Sequence, residues 1–173
     1  MGQKALTIFT PADTAPHIYA EDDAQLWRAL FPGSGITLAD GQLALTIVDD
    51  NNITLASGMY SNQGYMICVE PGTTAALSVE SGSAGTYRHD LVCAHFTRHV
   101  GDTADTHVFE VVKGANAATE AAAADPSIAD DDSDNDLTAG ASERQEALYR
   151  LIINGTTLVR AERIANYVGP VYQ

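Results

Sequence analysis

From Ile36 to Tyr87 the chain is written in short runs rich in Val, Ile, Leu and Thr, each stopped by a turn signal. The stops are Asp40-Gly41, Asp50-Asn51-Asn52, Asn62-Gln63-Gly64, Pro71-Gly72 and Ser81-Gly82-Ser83. No helix survives breaks at that spacing, whereas strands of roughly 4–7 residues joined by turns do. Two longer strands are expected over 88–98 (RHDLVCAHFTR) and 107–113 (HVFEVVK), joined by a polar hairpin loop. Alternation puts Asp90, Val92, Ala94 and Phe96 on one face of the first and Leu91, Cys93 and His95 on the other. Both faces are largely apolar, so this strand is expected to be central in its sheet. Strand signal resumes in EALYRLIING and TTLVRAERI, with Asn154-Gly155 as a two-residue hairpin turn between them.

One helix interrupts this pattern. Glu21, Asp22 and Asp23 suit the positive N-terminal end of a helix, Ala24, Trp27, Leu30 and Phe31 follow at helical spacing, and Pro32-Gly33 stops it. A helix over 21–31 is predicted, with Trp27 as its anchor in the core. Residues 1–20, with Pro11 and Pro16, read as an extended arm, 21–165 as one β-rich domain, and 166–173 as a short tail. The expected fold is mainly β: an antiparallel β-sandwich or barrel-like domain with one short N-terminal helix and an acidic loop insertion. At 18.3 kDa the chain fits one well-buried domain.

The insertion is residues 114–143. It holds eight acids (Glu120, Asp125, Asp130, Asp131, Asp132, Asp134, Asp136 and Glu143) and no Lys or Arg, within a net charge of −14. Its Ala-rich part could make a helical turn, whereas the Asp run, residues 125–143, is expected to be a mobile, hydrated loop that tolerates shortening. The overall charge excludes nucleic acid and anionic membrane surfaces as partners, since binding there rests on neutralising phosphates. No apolar run approaches the roughly 18–20 residues of a membrane span, and MGQKALTIFTPADT lacks a signal-peptide core. Two cysteines, Cys68 and Cys93, form neither a disulfide framework nor a CxxC pair, so a reducing cytoplasm is the expected site of synthesis.

The motifs of catalysis are missing: the chain contains no GxSxG, Walker A, GxGxxG or HExxH. No enzyme and no cofactor is expected. Of the five histidines, His89 and His95 lie too far apart along a strand to share an ion, about 20 Å at ~3.3 Å per residue. Only His95 and His107 could meet across the hairpin, and ordinary sheet histidines are the expected reading. Asp132, Asp134, Asp136 and Glu143 occupy positions one, three, five and twelve of an EF-hand-like calcium loop. Leu137 stands where that loop needs glycine, and no amphipathic helices flank it, so a hydrated loop without metal is expected. Arg88 and Asp90, charged residues opening the best strand, are read as a structural ion pair; replacing Asp90 by Ala is then expected to remove roughly 1–3 kcal/mol.

The order of these segments resembles a module common in tailed bacteriophages and prophages of Gram-positive hosts, often N-terminal in baseplate, tail-fibre or head-fibre proteins. The likeness runs over residues 18–165. It rests on a Gly-x-x-Arg-x-Asp-Leu strand (Gly85, Arg88, Asp90, Leu91), a V-x-K-G strand end (Val111, Lys113, Gly114), and a Leu-Tyr-Arg strand with a glycine turn (Leu148, Tyr149, Arg150, Gly155). The resemblance implies a non-enzymatic virion structural protein of the tail tip, baseplate or a fibre attachment point. It would assemble with itself, as a trimer, and with other virion proteins. Two other roles stay open: a capsid-surface decoration or head-fibre protein, and a host-surface adhesin binding glycan.

Overall fold

The computed structural model describes residues 3–5, 20–101 and 103–169. The chain is mainly β, in two curled sheets with one helix near the N-terminus. In order, the elements are β1 (Gln3–Ala5), α1 (Ala20–Leu30), β2 (Gly35–Thr37), β3 (Leu45–Asp49), β4 (Asn52–Asn62), β5 (Tyr65–Ser78), β6 (Tyr87–Thr97), β7 (Thr106–Val112), β8 (Glu143–Asn154), β9 (Thr157–Arg163) and β10 (Tyr167–Val168). One sheet runs β1-β5-β4-β2-β10, with β3 also paired to β4; the other runs β7-β6-β8-β9. The pairings are antiparallel except β10 on β2. The sheets face each other across a core of Ile36, Ile53, Leu55, Ile67 and Val69 from the first, Val92, Ala94, Phe109, Leu148, Leu151 and Ile153 from the second, and Leu43 from the turn before β3. Tyr149 crosses this core and donates its hydroxyl hydrogen to the Leu43 carbonyl at 3.1 Å.

Several expectations change in detail. Pro71-Gly72 does not end a strand. Gly58 pairs with Val69 and Ala56 with Thr74, so residues 70–73 bulge out of a continuous 14-residue β5. The β8–β9 turn moves by one residue: Asn154 pairs with Thr157, which leaves Gly155-Thr156 as the loop. A positive φ of 62° falls only on Gly155, the first loop residue, as a II′ turn requires and as glycine alone adopts cheaply. The tail contributes β10 to a sheet, and the arm contributes β1; most of the arm, His17 included, lies outside the described residues.

The helix is where expected, but its anchor is not. Its buried residues are Ala20 and Ala24, while Trp27 is half-buried and stacks on Phe31. Close approach explains the substitution of small for large: a Cβ on Gly64 would lie 2.1 Å from the Ala24 carbonyl oxygen. α1 therefore sits directly on the β4–β5 turn through alanine. A second, smaller core forms beneath it from Ala24, Tyr65, Phe96 and Leu137.

Candidate functional site

β6 lies second in its sheet and its pattern of burial explains the position. Val92 and Ala94 face the sandwich core, yet Leu91 and Cys93 on the other face are also buried. What covers that outer face is the acidic segment. Ala117 bridges to Tyr87, and Gly114 passes so close that a Cβ there would lie 2.0 Å from the His89 carbonyl oxygen. Asp125 reaches Arg150 and His89, Glu120 reaches Arg160, and Ala129 exchanges hydrogen bonds with Gln145. The chain then rounds the sheet end, where Arg144 binds Asp132 at 3.0 Å and the Asn135 carbonyl at 3.2 Å. Finally Leu137, 3% exposed, enters the small core, and its N–H donates to Gln63 Oε1 at 2.8 Å.

The segment is therefore a tethered strap, not the free hydrated loop expected. The reason is long-range: carboxylates that repel one another in isolation meet Arg144, Arg150 and Arg160 presented by β8 and β9. Arg150 beside Asp125 holds that carboxyl below its usual range. Asp136 behaves locally, accepting from the Thr138 N–H and hydroxyl, which holds it below the usual range as well.

This arrangement separates the four carboxylates of the calcium pattern. Asp132 lies on Arg144, Asp136 caps its own turn, and Glu143 contacts His95 Nε2 at 2.7 Å, while Asp134 stays at the surface. Among the described residues no three His, Cys, Asp or Glu side chains gather as a metal ligand set. His95 and His107 do not meet either. His107 pairs with Phe96 and so shares that residue's face, whereas His95 points to the opposite face between Glu110 and Glu143.

Arg88 and Asp90 are brought together in the core end of β6. Arg88 Nε donates to Asp90 Oδ1 at 2.8 Å and Nη2 to Oδ2 at 2.9 Å, with Arg88 2% and Asp90 0% exposed. The same guanidinium binds the carbonyls of Glu80 and Ser81, and the Gly114 N–H donates to Asp90 Oδ1 at 2.9 Å. One bidentate pair thus fastens the β5–β6 crossover, β6 and the exit of β7. Gly85 turns the chain just before it, at φ 75°. Of the other motif residues, Leu148 forms a bulge between the Val92–Tyr149 and Cys93–Ala147 pairs, and its carbonyl accepts from Ile164 and Ala165. Tyr149 ties the sheets, and Arg150 holds the strap. Sequence spacing revealed the Arg88–Asp90 pair, but its links to residues 80, 81 and 114 follow only from the fold.

The tightness at Gly114 gives a testable consequence. Gly114→Ala forces the strap or β6 to shift and is expected to cost about 1–3 kcal/mol, as overpacking does. Chemical denaturation reads it; a variant as stable as the parent contradicts the close approach.

Among the described residues the buried thiol of Cys93 is not a poised nucleophile. Burial pushes the Cys93 thiol up to about 12, far from a thiolate at neutral pH. A cleft of about 560 Å³ between α1 and residues 137–140 is floored by Tyr65 and Arg98, but the Arg98 guanidinium is already committed to Glu21, the Tyr65 hydroxyl and the Leu137 and Ala141 carbonyls. Among the described residues, no helix is long and apolar enough to cross a membrane. No protein-family model and no curated protein sequence matches this chain.

Proposed function

We propose that this chain is a non-enzymatic structural protein of a tailed-bacteriophage virion, a tail-tip, baseplate or fibre-attachment component. It assembles with copies of itself and with a neighbouring virion protein. The observation that carries this reading is where the chain spends its charged groups. Arg88 and Asp90 are buried as a clamp between three chain segments, and Arg98, Arg144, Arg150 and Arg160 each hold a loop or the helix. Polar side chains fix geometry instead of facing a substrate, which suits a part that bears load between neighbours. Leu26 and Leu38, more than half exposed, are apolar surface that assembly would take out of water.

Self-association is the first test. Light scattering at tens of micromolar, an order-of-magnitude working range, is expected to give a multiple of the 18.3 kDa chain, three copies by the resemblance. A monomer mass contradicts the assembly reading. A glycan array over host polysaccharides is expected to be blank; selective binding to one polysaccharide favours the adhesin instead.

A further inference from the structure

His107 is a buried titratable group that none of these clamps employs. It is 3% exposed, and neither ring nitrogen has a hydrogen-bonding partner of normal geometry. Its ring meets the edge of Phe96 with centroids 5.6 Å apart at 89°. Phe96 in turn packs on Tyr65 at 4.3 Å and belongs to the small core with Ala24 of α1 and Leu137 of the strap. The imidazole therefore sits behind the one cluster that holds both the helix and the strap end.

The surroundings oppose a charge there. Just past β6, the Arg98 guanidinium lies 5.5 Å from the Tyr65 ring and 5.8 Å from the Phe96 ring, and on β6 His95 is on the far face with Glu110 and Glu143. Just before β7, Asp105 accepts from the His99 N–H and contacts its ring. β5 presents Tyr65, Met66 and the buried Cys68, and β1 also packs near β7. Burial is the main cause that pushes His107 down to about 3, against a smaller opposing influence of the Met66 backbone.

We propose that His107 is an acid trigger for the small core: below neutral pH a locally opened state, with α1 and residues 137–141 released and the main sandwich intact, gains population because only there can the imidazole take a proton. The sign follows from linkage. An opened or unfolded histidine titrates near ~6.5, whereas the closed state keeps His107 neutral. The stability contributed by the neutral ring is thus fully present above about 6.5 and is lost as pH falls from there toward 3. Opening becomes about tenfold more favourable per pH unit in that window, hence about 30-fold between pH 7 and 5.

Trp27, the sole tryptophan, reports on α1. Hydrogen exchange, corrected for intrinsic rates, is expected to rise about 30-fold in residues 20–30 and 137–141 between pH 7 and 5, with Trp27 fluorescence changing in step. Exchange in 150–154 should remain far slower than in these segments at both pH values, since those amides open only with the main sandwich. His107→Phe and His107→Gln, neither able to take a proton, are both expected to abolish this difference; if one fails to fold, the other reads the effect. Glu21→Gln, which uncouples the other link between α1 and Arg98, should leave the pH dependence in place. Equal pH dependence in the parent and either His107 variant overturns the proposal, as does acid opening that begins in the main sandwich.

Discussion

Asp90→Ala is expected to be among the most damaging single substitutions in this chain, removing about 3–5 kcal/mol. The sequence suggested roughly 1–3 kcal/mol, the cost of leaving buried donors unsatisfied, whereas the structure makes Asp90 the partner of a buried cation. With Asp90 gone, Arg88 remains 2% exposed, its charge met only by the Glu80 and Ser81 carbonyls, and the Gly114 N–H loses its acceptor. The size of the effect comes from the orphaned charge, not from the worth of the pair itself. Replacing both residues, Arg88→Met with Asp90→Leu, is therefore expected to cost less than Asp90→Ala alone. Denaturant titration of the three proteins checks this. A loss under about 1 kcal/mol for Asp90→Ala, within the range of exposed pairs, contradicts the clamp.

Leu137→Ala is the second large effect. Its side chain is buried in the small core, with Ala141 packed against the edge, and its removal leaves a cavity among Ala24, Tyr65 and Phe96. A buried Leu→Ala change costs about 2–5 kcal/mol, and a site close to the surface, able to collapse, belongs at the lower end. Limited proteolysis should then cut within 125–143 much faster than in the parent, since the strap has lost its terminal tether. Shortening the segment is expected to do the same, against the expectation drawn from composition. Unchanged stability together with unchanged proteolysis would show that the ion pairs alone hold the strap.

These two residues also mark the boundary of what the sequence discloses. The β content, the single helix, the long central strand and the Arg88–Asp90 pairing were legible because they depend on neighbours within a few positions: period-two burial, turn residues and charges two apart on one strand face. The strap was not. Its Asp run reads as self-repelling until Arg144, Arg150 and Arg160 are placed opposite it by strand pairing, and Leu137 reads as a defect in a calcium loop until Phe96 and Tyr65 are beneath it. Trp27 misled for a related reason. Size and spacing nominate it as a core residue, but the backbone approach at Gly64 admits only Ala24. The break at Pro71-Gly72 misled because the same residues serve a bulge inside a strand as well as a turn between strands.

The virion assignment is the central claim, and particles test it most directly. Antibodies raised against the purified chain, applied to particles from a lysate of the bacterium that carries this gene and viewed by electron microscopy, should label the tail tip or fibre base. Label on the capsid surface would move the protein to the head. Particles that carry no label, with all of the chain recovered free in the lysate, would contradict a structural role in the virion.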